Sequence, residues 1–330
     1  MDYVNIVHDL ANLLLNIYFF KIYFYYIGIY TFNMDLRTLM NNSMQKGIVI
    51  PGFNIPYLPM MEPVIRALHD TSAFGLIMVA RLEWIKFESG SMKSIRDEYE
   101  KLKDLRFTRL HLDHVPVIDE DGMLTNYEEI ISEAIDLGYD SVMLDGSRLS
   151  LDENIDKSQK MALLAHKAGI PIEAELGAVL GHESGPLPPY EELFSSGKGF
   201  TSPEEASRFV RETGVDWLSV AIGNIHGAIS AAARVEKKQS ARLNINHLKV
   251  INDAVRIPLV LHGGTGIAKE YLMQSFKAGI TKINIATAIR QPYEKLMHDS
   301  VKKAQEAVYN EMVDIINNQI EIEGSASHLI

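Results

Sequence analysis

The stretch Pro258-Leu259-Val260-Leu261-His262-Gly263-Gly264-Thr265-Gly266, followed by a helical pattern at 269–278 and then Lys282-Ile283-Asn284-Ile285, decides the fold. A short, unbroken apolar run reads as a strand buried on both faces. The glycine-rich turn carries it into an amphipathic helix that returns to a second such strand. That is one parallel strand-helix unit. The same grammar repeats outward through the chain, with apolar runs at 48–50, 75–80, 110–113, 141–144, 172–175, 217–222, 258–261 and 282–285. Helical patterns at 126–137 and 203–212 fall between them, several helices ending in glycine. Eight such units in about 290 residues predict an α/β chain folded as a (β/α)8 TIM barrel. Its expected span is 34–330, including a C-terminal helical segment. The competing open, doubly wound sheet expects a glycine-rich phosphate turn after its first strand, and Pro51-Gly52-Phe53-Asn54 is not one.

Composition narrows the chemistry. The 330 residues are 47% apolar and 23% charged, an ordinary globular mixture. With no cysteine there is no thiolate nucleophile or sulfur ligand, so a metal must be held by His, Asp or Glu. The formal charge of -11, from 32 Lys and Arg against 43 Asp and Glu, argues against a nucleic-acid partner, which needs a basic surface. An anionic substrate therefore requires a local positive pocket.

In a barrel of this kind the chemistry gathers where strands end. Those ends are polar here: His111-Leu112-Asp113-His114, Asp145-Gly146-Ser147, Glu173-Ala174-Glu175, Gly223-Asn224-Ile225-His226-Gly227 and His262-Gly263-Gly264-Thr265-Gly266, with Asn284 and Thr287 on the last strand. One such residue is usually a satisfied core polar group. Three histidines at three strand ends point into one basin, and in a chain without cysteine they suit a catalytic divalent metal. The glycine run before the helix after the seventh strand offers backbone amides to a phosphate, though a tight strand-helix turn needs the same glycines. The longest loop signal, 181–202, has seven Gly or Pro and reads as an active-site lid.

These motifs, in this order over about residues 35 to 300, resemble the class II, metal-dependent fructose-bisphosphate and tagatose-bisphosphate aldolase family. The resemblance implies that His114, His226 and His262 hold a catalytic zinc ion. Asp145 and Glu175 become further metal ligands, with room for a second divalent or monovalent cation. Asp113 becomes the group that exchanges a proton with the aldehyde oxygen, and Glu183 the mobile-loop base. Asn54, Gly227, Gly263, Gly264, Thr265, Asn284 and Thr287 become contacts to a phosphorylated sugar. The implied reaction is reversible cleavage of a ketose phosphate to dihydroxyacetone phosphate and an aldehyde through a zinc-stabilised enediolate. Neutral imidazoles leave the full charge of the ion available for this. A Schiff-base route needs a lysine at a strand end. Lys282, the candidate inside a strand, reads as lying at the start of its strand, away from the catalytic face.

Departures from the family lie on one side. Residues 115–122 form an apparent insertion after His114. Met78 and Ala80, then Arg81, stand where the family usually has a Gln and a Ser, and Arg148 stands where a His often follows Asp145-Gly146-Ser147. The expectation is an aldolase whose aldehyde partner differs from glyceraldehyde 3-phosphate. Ala286 places it nearer the tagatose-type subgroup. A metal-dependent barrel hydrolase and a catalytically silent relative are the alternatives. The family also implies a homodimer or homotetramer working in the cytoplasm.

Residues 1–33 do not match the rest, holding 10 of the 28 aromatic residues in a run long enough to span a bilayer. This apolar, aromatic extension is either a membrane segment or translated upstream sequence with the working start at Met34. A barrel closes its own floor and has no need of it. A chain beginning at Met34 is expected to be soluble, bind metal and keep full aldolase activity. Failure of that chain to fold, or recovery of the native protein from membranes with Met1 intact, overturns this expectation.

Overall fold

The computed structural model describes residues 34–177, 190–224 and 242–329. Glu183, His226, Gly227, the 1–33 extension and the first part of the 181–202 loop lie outside them. Eight parallel strands close into a barrel in sequence order: β1 Ile50–Asn54, β2 Gly75–Ala80, β3 Thr108–Pro116, β4 Ser141–Asp145, β5 Ile172–Leu176, β6 Trp217–Val220, β7 Leu259–Leu261 and β8 Ile280–Ile285. The helices named below lie between and around them. Among the described residues, no helix is long and apolar enough to cross a membrane.

The strands carry a period of two. Ile77 and Val79, Leu110 and Leu112, Ile172 and Ala174, and Ile283 and Ile285 face the outer helices and join the main apolar core. Their neighbours face inward in layers. The lowest layer is apolar, with Ile50, Leu76, Trp217 and Val260 packed against Leu36, Leu39 and Met40 of the lead-in helix α1 (Leu36–Lys46). Asp35 caps that helix by accepting from the Thr38 amide, and Gly47 closes it in the left-handed conformation at φ 64°. Asp216 fixes the same end, accepting from Arg37, from His166 at 2.8 Å and from the Ile172 amide at 2.9 Å. Above this apolar floor the inward residues turn polar.

The strand boundaries shift where hydrogen bonding continues past the apolar run. β1 starts at Ile50 and runs on to Asn54. β3 runs to Pro116, and residues 117–125 fold back as a tight hairpin through the Ile118 and Leu124 bridge. The expected insertion is thus partly strand. The loop at 181–202 contains a short helix, Tyr190–Ser196.

Since α1 seals the floor far from the strand ends, Leu39→Ala is expected to cost about 3 kcal/mol of stability by opening a cavity in that layer. Denaturant unfolding checks this. Turnover measured well below the melting temperature should stay at the parent value.

Candidate active site

The upper end of β3 departs from regular pairing. His111 and Leu112 pair with Ser141 and Val142, but the next registered residues are Val115 with Leu144, so Asp113 and His114 bulge opposite Met143. His114 takes φ 34°, in the left-handed region that non-glycine residues rarely adopt. The bulge lets two consecutive side chains serve the same basin.

Asp113 is 1% exposed and its carboxylate is held from both sides. Asn54 at the end of β1 donates to Oδ2 at 2.9 Å, and Asn284 of β8 donates to Oδ1 at 2.9 Å. Burial opposes its charge, but His114, Lys282, His262 and His111 hold it well below the usual carboxylate range. It is an ionised, oriented carboxylate.

His114 and His262 face one another with ring centroids 4.5 Å apart. His114 Nδ1 lies 3.3 Å from Asp145 Oδ2, and Asp145 is itself oriented by the Ser147 amide at 3.0 Å and hydroxyl at 2.6 Å. His262 Nε2 meets Glu173 Oε1 at 2.8 Å, and its Nδ1 lies 2.9 Å from Glu175 Oε2. Burial disfavours a charged His114, yet Asp113, Asp145 and Glu175 outweigh it and push the ring up to about 10. Burial and His114 likewise oppose protonation of His262, and Glu173 and Glu175 overcome them to raise it. The basin therefore calls for positive charge. Ligand atoms of Asp113, His114 and His262 lie within 4.8 Å of one another, as do those of His114, Asp145 and Glu175. Imidazoles and carboxylates converging without thiols fit a divalent cation. His226 lies outside the described residues, so the structure brings together two of the three expected histidines.

The anion side is mixed. Gly263 is at φ 68°, and a Cβ on Gly264 would meet Ile283 at 2.6 Å, so this turn needs its glycines for packing. The Gly264 amide points at the Asn284 carbonyl at 3.3 Å. Thr287 opens helix α11 (Thr287–Leu296; the eleventh in the order α2 Met61–Asp70, α3 Arg81–Lys86, α4 Met92–Leu102, α5 Tyr127–Asp136, α6 Leu151–Lys167, α7 Tyr190–Ser196, α8 Pro203–Thr213, α9 Ile245–Val255, α10 Lys269–Lys277). Asn284, expected on the substrate, has its side chain engaged by Asp113 and Lys282.

Four residues gain a place that sequence reasoning did not assign. Lys282 is the third residue of β8, fully buried inside the barrel, where it donates to Glu173 and Asn284, much closer to the site than its expected position. Glu173 and His111 share that inner layer. His111 Nδ1 pairs with the Ser141 hydroxyl at 2.7 Å, and burial drives its ring down to about 3, so it is neutral. Each stands two residues before a site residue, and the period of two was the available signal. The fourth is Glu83 of α3, which accepts from the Ala80 amide at 2.8 Å and hydrogen-bonds Asn54. Burial, and then the charge of Asp113, push it up to about 8 despite the Ala80 amide. Its three-residue spacing from Ala80 is that of a capping box. Arg81 lies 3.6 Å from Asp119 of the 117–125 hairpin, and Arg148 donates to the Asp119 carbonyl at 2.7 Å.

Known proteins match this arrangement. The family model for fructose-bisphosphate aldolase class-II covers residues 34–328. A fructose-bisphosphate aldolase of Streptococcus pyogenes serotype M1 is 29% identical over 274 residues, covering 81% of this chain and 84% of the relative. That of Streptococcus pneumoniae serotype 4 is 31% identical over 249 residues, covering 74% and 75%. Among solved structures, the YdjI aldolase from Escherichia coli K12 superposes with a TM-score of 0.69 at 27% identity, over 88% of this chain and 98% of that one. The chain belongs to the class II fructose-bisphosphate aldolase family and is an aldolase, a carbon-carbon lyase.

Proposed function

We propose that the enzyme reversibly cleaves a phosphorylated ketose to dihydroxyacetone phosphate and an aldehyde, using a zinc ion held by His114, His226 and His262. The observation that carries this reading is the ionised Asp113, clamped between Asn54 and Asn284 beside the facing His114 and His262 rings. When bound, the cation supplies Lewis-acid stabilisation to the negative charge that develops on the ketose oxygens. The chain supplies the rest. On cleavage Asp113 accepts the proton of the hydroxyl that becomes the aldehyde oxygen, and on condensation it returns it. Glu183 moves the carbon-bound proton of dihydroxyacetone phosphate. Gly227, Gly263, Gly264, Thr265 and Thr287 bind the phosphate, and Asn54 and Asn284 act on the substrate chiefly by aiming Asp113. Asp145 and Glu175 serve as alternative or second-cation ligands.

The aldehyde partner differs from glyceraldehyde 3-phosphate on this reading. Support comes from the departures at Met78, Ala80, Arg81, residues 115–122 and Arg148, of which Arg81 and Arg148 both reach Asp119. Ala286 after β8 favours a tagatose-type configuration. The protein works as a homodimer or homotetramer in the cytoplasm, with a membrane role only if residues 1–33 are retained.

His262→Ala is expected to lower bound zinc and abolish cleavage together, and exhaustive chelation should do the same reversibly. Full activity in chelator, or trapping of substrate on the enzyme by borohydride, overturns the metal mechanism.

The two carboxylates separate by half-reaction. Glu183→Ala should stop exchange of the carbon-bound proton of dihydroxyacetone phosphate at unchanged metal content. Asp113→Ala should spare that exchange while slowing cleavage by about 10²-fold or more. Equal loss of both half-reactions in both variants reverses the assignment.

A further inference from the structure

We propose that Lys282 is a positioning residue that holds the metal ligand His262 and the base Asp113 in one rigid array. The inference rests on the proposed metal-dependent reading of the site. Lys282 is 0% exposed and lies below the site on β8, with its ammonium group between two acceptors: Glu173 Oε2 at 2.8 Å and Asn284 Oδ1 at 2.7 Å. Each acceptor passes the constraint upward.

Along the first arm, an ammonium group can only donate, so it fixes which end of the Asn284 amide faces down. The carbonyl must meet Lys282, and the amide nitrogen must meet Asp113 Oδ1, which it does at 2.9 Å. With that donor removed, the buried amide oxygen loses the partner that anchors it from below, only Asp113 orients the amide, and the contact to Oδ1 loosens. Along the second arm, Lys282 occupies Glu173 Oε2 and leaves Oε1 to receive His262 Nε2 at 2.8 Å. That contact fixes the ring and leaves Nδ1 directed into the basin, 2.9 Å from Glu175. Outer partners of this kind orient a ligating imidazole and set its affinity for metal.

A purely structural role would be simple neutralisation of a buried glutamate. Buried ion pairs are poor stabilisers, and apolar residues of similar volume commonly replace them at no loss. The floor immediately below, with Ile50, Trp217 and Val260, is already apolar and would accept such a replacement. The specific geometry of the two arms is what an apolar pair cannot supply.

The test uses the full chain with zinc, the Lys282→Met variant, and the double variant Glu173→Gln with Lys282→Met, which removes both charges while leaving an amide oxygen to accept from His262. Zinc affinity is measured by competition with a chromophoric chelator, and folding by thermal unfolding. Exchange and cleavage are then followed at saturating zinc. Lys282→Met should weaken zinc binding about 10- to 100-fold. It should also lower kcat for cleavage more than the exchange rate, with KM little changed. The double variant should unfold at or above the parent temperature yet keep both defects, and it decides the matter alone if the single variant does not fold. Parental zinc affinity and cleavage in the double variant, or in a folded Lys282→Met, overturns the inference. Absence of zinc-dependent exchange in the unmodified protein overturns the metal reading instead.

Discussion

A β-strand turns successive side chains to opposite faces, so an acid and a metal ligand adjacent in sequence can serve one site only where the strand breaks its own alternation. In β3 that break is the register shift between Leu112 and Val115, with His114 at φ 34°. The rest of the site is arranged around it. Without the bulge, Asp113 would still point inward, between Asn54 and Asn284, but His114 would join Leu112 among the outer helices. Left-handed backbone at a non-glycine residue carries strain on the order of 1–3 kcal/mol, which persists only where the surroundings enforce it. Here β3 continues past the bulge to Pro116, and the Val117 amide bonds the Asp145 carbonyl at 2.9 Å, so the strand is held on both sides of the strained residue.

The second constraint is electrical. Asp113, Glu173 and Glu175 bring carboxylates into a closed barrel interior, where lone charges are costly, and Asp145 adds a half-buried one at its rim. Lys282 answers Glu173 directly and reaches Asp113 through Asn284. Against their burial, Asp113, Asp145 and Glu175 draw His114 toward protonation, and Glu173 and Glu175 draw His262. A divalent cation would replace those protons with fixed charge and return both imidazoles to their neutral, ligating form. The same carboxylates that draw protons to the two rings suit a divalent cation.

Much of this was legible in the sequence because barrel strands have simple grammar. Every predicted strand run overlaps an observed strand, and the structure brings ligand atoms of Asp113, His114 and His262 within 4.8 Å of one another, as it does those of His114, Asp145 and Glu175. Two kinds of information were not legible. Apolar runs mark where a strand is buried, not where its hydrogen bonds stop, so the extension of β3 into the 117–125 hairpin looked like an insertion. Reading only strand ends also overlooked the layer beneath. Lys282, Glu173 and His111 each lie one strand period below a site residue, and they bond inward-facing polar groups: Lys282 meets Asn284 and Glu173, Glu173 meets His262, and His111 meets Ser141. Their pairing is a matter of barrel closure, since Glu173 and Lys282 come from β5 and β8, which no local pattern connects.

The variable wall follows from the same layering. The lower layers are constrained on all sides, by the apolar floor under Lys282 and by the paired amides around Asp113. The segments beyond β2, β3 and β4 are bound mainly to one another: Arg81 and Arg148 both reach Asp119, and Glu83 is tied to the Ala80 amide. They meet the site below through the Val117 amide, which bonds the Asp145 carbonyl. Glu83 is a second point of contact, because it also bonds Asn54, which holds Asp113. Through that one amide a carboxyl of the wall and the carboxylate of Asp113 are linked, and the charge of Asp113 adds to burial in raising the Glu83 carboxyl, so the ionisation of the wall and of the site is coupled.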